Sequence, residues 1–190
     1  APVCREALAQ YLRFMYVPAP RSIYRGVFKL EPGCLLTVHG SPPPTPPAMP
    51  LRPGQEYGSV SVRRWWSLAA AVEAGATDPL QDEAEALRLL EDQLTTAVNL
   101  QSLADVPLGA FLSGGVDSST VVALMQCQSS RPIKTFTVGF EEAGFDESPY
   151  ALAVARQLGT EHHEMRVSAQ MARDVIPDLP SMYDEPFADS

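Results

Sequence analysis

The sequence predicts an α/β protein built on a parallel sheet with flanking helices, preceded by a short α+β piece. Three observations point there. Apolar runs of strand length alternate with helical periodicity after residue 80, a glycine pair follows the first of those runs, and prolines punctuate the chain before it. The composition is that of a globular chain: 190 residues, 45% apolar and 19% charged. With 14 Lys plus Arg against 23 Asp plus Glu the net charge is −9, which disfavours general binding to nucleic acid or an anionic membrane. No apolar stretch reaches the length of a membrane span, and the N-terminus lacks a basic head followed by an apolar core. Cys4, Cys34 and Cys127 are odd in number and far apart, fitting neither a disulfide framework nor a zinc site, so a reducing, cytoplasmic setting is expected.

Along the chain, Leu8, Leu12 and Met15 share a helical face within residues 5–16. Val27–Leu30 and Leu35–Val38 read as a strand pair about a turn at Glu31–Gly33. Prolines crowd Ser41–Pro47 and recur at Pro50 and Pro53; they fix φ and supply no N–H, which predicts an extended connector. Trp65 and Trp66 read as packing anchors of that connector. The domain boundaries expected are therefore 1–40, 41–78 and 79–190. In the last, a helix begins after Asp78-Pro79 and runs to about residue 101. Then follow a strand at 108–112, a helix at 116–128, a strand at 133–140, a helix at 147–158 closed by Gly159, and a strand at 162–167. Ser168 caps a further short helix.

Between the first of these strands and its helix lies Leu112-Ser-Gly-Gly-Val-Asp-Ser-Ser119. A glycine pair delivered into a helix N-terminus lets consecutive N–H groups converge on a phosphate, and the helix adds its positive end. Ser113, Ser118 and Ser119 bring hydroxyl groups. There is no GxxxxGK[ST] and no GxGxxG, so neither the P-loop lysine nor the dinucleotide fingerprint is present. Asp117 beside a phosphate makes sense as a Mg²⁺ ligand or as an acceptor for loop N–H groups. His162 and His163 are adjacent on a strand, point to opposite faces and read as structural. Asp184, Glu185 and Asp189 form an acidic cluster with either a rim or a capping role.

SGGVDSS resembles the signature of the PP-loop ATP pyrophosphatases, whose fold is that of the adenine nucleotide alpha hydrolases. The wider set is narrower in meaning: Val106–Gly115, Thr135–Phe140, Phe145–Ser148, Leu158–Glu164 and Tyr183–Ser190 together resemble the glutamine-hydrolysing asparagine synthetase family. Tyr16–Tyr24 and Lys29–Gly33 resemble the end of that family's glutaminase domain. The resemblance implies a C–N ligase that uses ATP and Mg²⁺, adenylates the side-chain carboxylate of aspartate and forms an amide with ammonia drawn from glutamine. Carried onto this sequence, Ser113, Gly114, Gly115, Asp117, Ser118 and Ser119 form the pyrophosphate loop. Phe111 or Leu112, and Val138, match positions whose main chain meets adenosine. A homodimer of the intact enzyme is compatible with this reading.

The resemblance also marks departures. Cys4 lacks the strand and glycine-rich surroundings of a glutaminase nucleophile and reads as a helix residue. No catalytic residue is assigned within the 190, which are expected to be a fragment inactive by itself, with further ATP and aspartate groups beyond Ser190. Rival readings are an amidotransferase acting on a cell-envelope or antibiotic intermediate, a GMP-synthetase-like enzyme, and a non-catalytic nucleotide-binding domain. Against the second, the strand at 133–140 ends Thr137-Val-Gly-Phe140 rather than in an acidic signature.

Overall fold

Two units divide the chain: Ala1–Pro79 with Pro177–Ser190, and Leu80–Ile176. The computed structural model describes residues 1–141, 144 and 146–187; Phe145, Asp189 and the other end residues of the quoted motifs lie outside them.

In the first unit, helix α1 (Arg5–Phe14) follows Cys4, which is its N-cap rather than a helix residue. Ala7, Val17 and Ile23 make a small core against Cys4 and Tyr11. The expected pairing of Val27–Leu30 with Leu35–Val38 does not form. Instead β1 (Cys34–Val38) lies antiparallel to β3 (Val60–Arg64), which also pairs with β2 (Glu56–Tyr57), giving the order β1-β3-β2. The reason sits at Gly33, whose carbonyl accepts the N–H groups of Trp65 and Trp66 and so commits the start of β1 to β3. Gly33 has φ +68°, and a Cβ there would lie 2.1 Å from the Trp66 carbonyl oxygen. The two indole rings are exposed, at 66% and 47%, so the anchor is their main chain and not their rings.

The segment 41–78 is thus more than a connector. Its prolines stay out of the strands, as their missing N–H requires, but Pro42 to Pro47 fold back to line an apolar cleft of about 530 Å³ with Leu36, Tyr57 and Val62. The segment also carries helix α2 (Leu68–Thr77), capped by the Ser67 hydroxyl accepting from the Ala70 N–H. An alanine-rich stretch with little polar contrast carries no amphipathic signal, which is why the sequence did not announce it.

The second unit opens with α3 (Glu83–Gln101). It starts later than Asp78-Pro79 because Asp82 is the N-cap, its carboxylate accepting from Ala84 and Glu85 N–H groups. The sheet is wholly parallel, in the order β4 (Gly109–Phe111), β5 (Lys134–Phe140), β6 (Glu161–Val167). Helices α4 (Val116–Cys127) and α5 (Ser148–Leu158) are the crossovers, and Gly159 ends α5 at φ +70°. Leu112, Val122, Ala151 and Ala155 form the core, so strand, loop helix and crossover helix share one apolar centre. Along β5 Thr135, Thr137 and Gly139 are buried and the residues between them are exposed, a period of two. Helix α6 (Ala169–Val175, capped by Ser168) ends this unit, and α7 (Leu179–Met182) belongs to the first. No helix among the described residues is long and apolar enough to cross a membrane.

The adjacent histidines take opposite faces. His163 stacks on Phe136, ring centroids 5.3 Å apart, and meets the Glu161 carboxylate at 3.1 Å. His162 Nδ1 lies 2.9 Å from Thr135 Oγ1, which in turn lies 2.9 Å from Thr160 Oγ1, while His162 Nε2 is shut from solvent with no partner among the described residues. Burial lowers the His162 pKa below the usual imidazole value of 6.5, with Glu164 opposing the shift and His163 adding to it. The unfolded chain therefore takes up the proton first. The stability that the neutral ring contributes is complete above about pH 6.5 and is lost as the pH falls through the lower folded-state value. Thermal melts between pH 7.5 and 5 should show the wild type losing stability over that window and His162→Gln losing less; superimposable pH profiles would contradict this.

Candidate functional site

Chemistry-bearing residues converge where β4 ends. Its last residue, Phe111, is 80% exposed, whereas Leu112 is 2% exposed and fixed on both sides of its main chain. The Leu112 N–H donates to the Phe136 carbonyl at 2.9 Å, and the Thr137 hydroxyl donates to the Leu112 carbonyl. That pins the mouth of the loop to the central strand. Val138, one residue further along β5, is 42% exposed on the opposite face from Thr137.

The loop then turns through Gly114 at φ +80°. A Cβ on Gly114 would fall 2.7 Å from the Ala151 N, the Tyr150 carbonyl carbon and the Tyr150 Cβ, so the loop backbone rests directly on the first turn of α5. Gly115 is different: its φ is −72°, and the nearest atom to an added Cβ is Ser113 Oγ at 3.5 Å. Only Gly114 needs left-handed backbone. Gly115 is the N-cap of α4 and offers no side chain to cap it, leaving the first-turn amides without that partner.

The serines divide the work. Ser113 and Ser118 brace the loop from within: their hydroxyls are 2.8 Å apart, Ser118 Oγ accepts the Ser113 N–H at 3.2 Å, and it donates to the Gly115 carbonyl at 3.3 Å. Ser119 Oγ is buried and has no hydrogen-bond partner among the described residues. A buried hydroxyl without a partner costs stability unless something fills its place. Asp117 stands exposed in the first turn of α4. Among the described residues no three His, Cys, Asp or Glu side chains come together as a metal cage. A lone carboxylate beside a phosphate loop is the donor set Mg²⁺ accepts when phosphate oxygens and water complete its shell.

One relationship was hidden in the sequence: the contact of Gly114 with Tyr150 and Ala151, which are 36 and 37 residues away. Ala151 is fully buried, but a single alanine in a helix gives no sign of the backbone it supports. At the far end of the sheet Lys134 meets Glu161 at 3.8 Å; it sits at the amino end of β5, away from the loop.

The site defines a class: an α/β protein whose parallel sheet feeds a Ser-Gly-Gly loop into a helix N-terminus at its carboxyl edge. The asparagine synthase family matches residues 89–190, and the chain belongs to it. Asparagine synthetase [glutamine-hydrolyzing] 1 of Bacillus subtilis is 32% identical over 97% of this chain and 26% of its own length. The Asparagus officinalis asparagine synthetase [glutamine-hydrolyzing] is 33% identical over 67% of this chain and 22% of its length. The third asparagine synthetase of that type in Arabidopsis thaliana is 32% identical over 67% of this chain and 23% of its length. The chain thus spans about a quarter of the length of the curated relatives it matches.

The loop geometry separates the two glycines by experiment. Gly114→Ala forces a left-handed residue against backbone and should destabilise the fold by about 2 kcal/mol or more. Gly115→Ala should stay within about 0.5 kcal/mol of wild type. Urea denaturation compares them; equal losses would contradict the seating of Gly114 on α5.

Proposed function

We propose that this chain is the ATP-handling part of an asparagine-forming ligase, its residues 79–190 belonging to a PP-loop synthetase domain and 1–40 to the end of a glutaminase domain. The observation that carries the reading is the Ser113–Ser119 loop: a strand-to-helix turn with uncapped helix amides and an unpartnered buried hydroxyl, in a chain of this family. In this reading a carboxylate oxygen of aspartate attacks the α phosphorus of ATP, the bond to the bridging oxygen breaks, and pyrophosphate leaves. In this reading the charge growing on that leaving group is met by the uncapped first-turn N–H groups of α4 and the positive end of that helix, which stabilise the departing pyrophosphate. Phe111 or Leu112, and Val138, provide main chain for adenosine. Asp117 would hold Mg²⁺, which when bound screens the phosphate charge. Ammonia from glutamine then attacks the acyl carbon of the adenylate, and AMP departs.

ATP–pyrophosphate exchange by the full-length protein across a panel of carboxylates tests the reaction. Exchange with aspartate is expected; exchange dependent on another carboxylate, or none, would overturn the substrate assignment. Calorimetry tests the site separately. Gly115→Val should abolish Mg²⁺–pyrophosphate binding, because its branched side chain stands where the phosphate must approach; unchanged affinity would remove the loop assignment.

A further inference from the structure

Helix α5 supports the loop, and its own N-terminus is held by a group outside it. The N-cap residue Glu147 makes no side-chain cap, and the carboxylate one residue earlier does so instead. Asp146 Oδ1 accepts the Ser148 N–H at 3.1 Å. Ser148 is only 2% exposed. Hydrogen bonds from the Ser148 hydroxyl and then its N–H hold the Asp146 carboxyl below the usual carboxylate range against a smaller effect of burial, with help from Arg166 and the Phe140 N–H. The carboxylate thereby joins the end of β6, through Arg166 at 3.6 Å, to the first turn of α5, through the Ser148 N–H. Arg166 is shared with Glu164 at 3.0 Å. Room for this junction comes from Gly139, where a Cβ would stand 3.2 Å from Asp146 Oδ1, Glu164 Oε1 and Ser148 Oγ alike.

The turn so fastened is the one that carries Gly114. Tyr150 and Ala151 lie two and three residues beyond Ser148, and both donate their N–H to the Glu147 carbonyl at 3.1 Å, so the turn moves as a piece. We propose that Asp146 is a positioning residue for the Ser113–Ser119 loop: it sets the height of the α5 turn on which Gly114 rests, and acts on a bound phosphate only through that turn. This rests on the loop being the phosphate site. Beyond the short Asp146 side chain, the path from the Ser148 N–H through the turn closed on the Glu147 carbonyl to Tyr150–Ala151 and Gly114 is main chain and close contact, which leaves little room to absorb a displacement.

Charge and position predict opposite signs here. Asp146 lies at the same carboxyl edge of the sheet as the loop, so removing its negative charge would by electrostatics alone strengthen binding of an anion. Loss of position weakens it. Calorimetry of Mg²⁺–pyrophosphate on the full-length protein should find Asp146→Ala about tenfold weaker, and Asp146→Asn and Ser148→Ala, which each keep part of the junction, weaker by a smaller factor. The variant Ile133→Ala, which loosens the edge of the same unit at the amino end of β5, away from the loop and the junction, should lower the melting temperature and leave affinity as it was. Equal or tighter binding in the folded Asp146 and Ser148 variants would overturn the proposal. So would a loss that Ile133→Ala reproduces at equal destabilisation. Wild-type protein that binds no pyrophosphate, or binds it undiminished in Gly115→Val, would refute the loop assignment itself and this inference with it.

Discussion

Everything at the candidate site depends on a side chain that is not there. The first turn of α5 fills the space where a Gly114 Cβ would be, and this lets the Ser113–Ser119 backbone settle onto a rigid platform. The platform is rigid because Ala151 and Ala155 on α5 share a core with Leu112 before the loop and Val122 after it. The same four residues thus carry both the stability of the unit and the geometry of the loop. A loop held at both ends by one core can present N–H groups at fixed positions, which is what stabilising a developing charge requires.

Much of the second unit was legible in the sequence because its signals were local. Strand and helix periodicities, the glycine pair and the Gly159 terminator each act over a few residues, and elements appeared within a few residues of their expected bounds. The late start of α3 shows how a second capping carboxylate, Asp82, outcompetes an earlier Asp-Pro. The first unit was less legible because its pairing is long in range. Nothing near Leu35 reveals that its partner is Arg63 rather than a residue from the preceding stretch. The prolines forbid a ladder, as their missing N–H requires; what composition does not convey is that they fold back against the sheet face.

The loop residues were legible as a group but not in their separate roles. Four residues distinguish them: Gly114 by its contact, Gly115 by its open Cα, Ser118 by bracing and Ser119 by its lack of a partner. These differences arise from neighbours brought in by α5, and the run SGGVDSS is silent about them. The chain belongs to the asparagine synthase family and spans about a quarter of the length of the relatives it matches.

The most direct test is to watch the loop itself. In a ¹H–¹⁵N spectrum of isotope-labelled protein titrated with Mg²⁺–pyrophosphate, the amides of residues 113–119 should shift most, followed by those of Tyr150 and Ala151 beneath them. Shifts centred instead on the amino end of the sheet, around Arg131 and Lys134, would contradict the account.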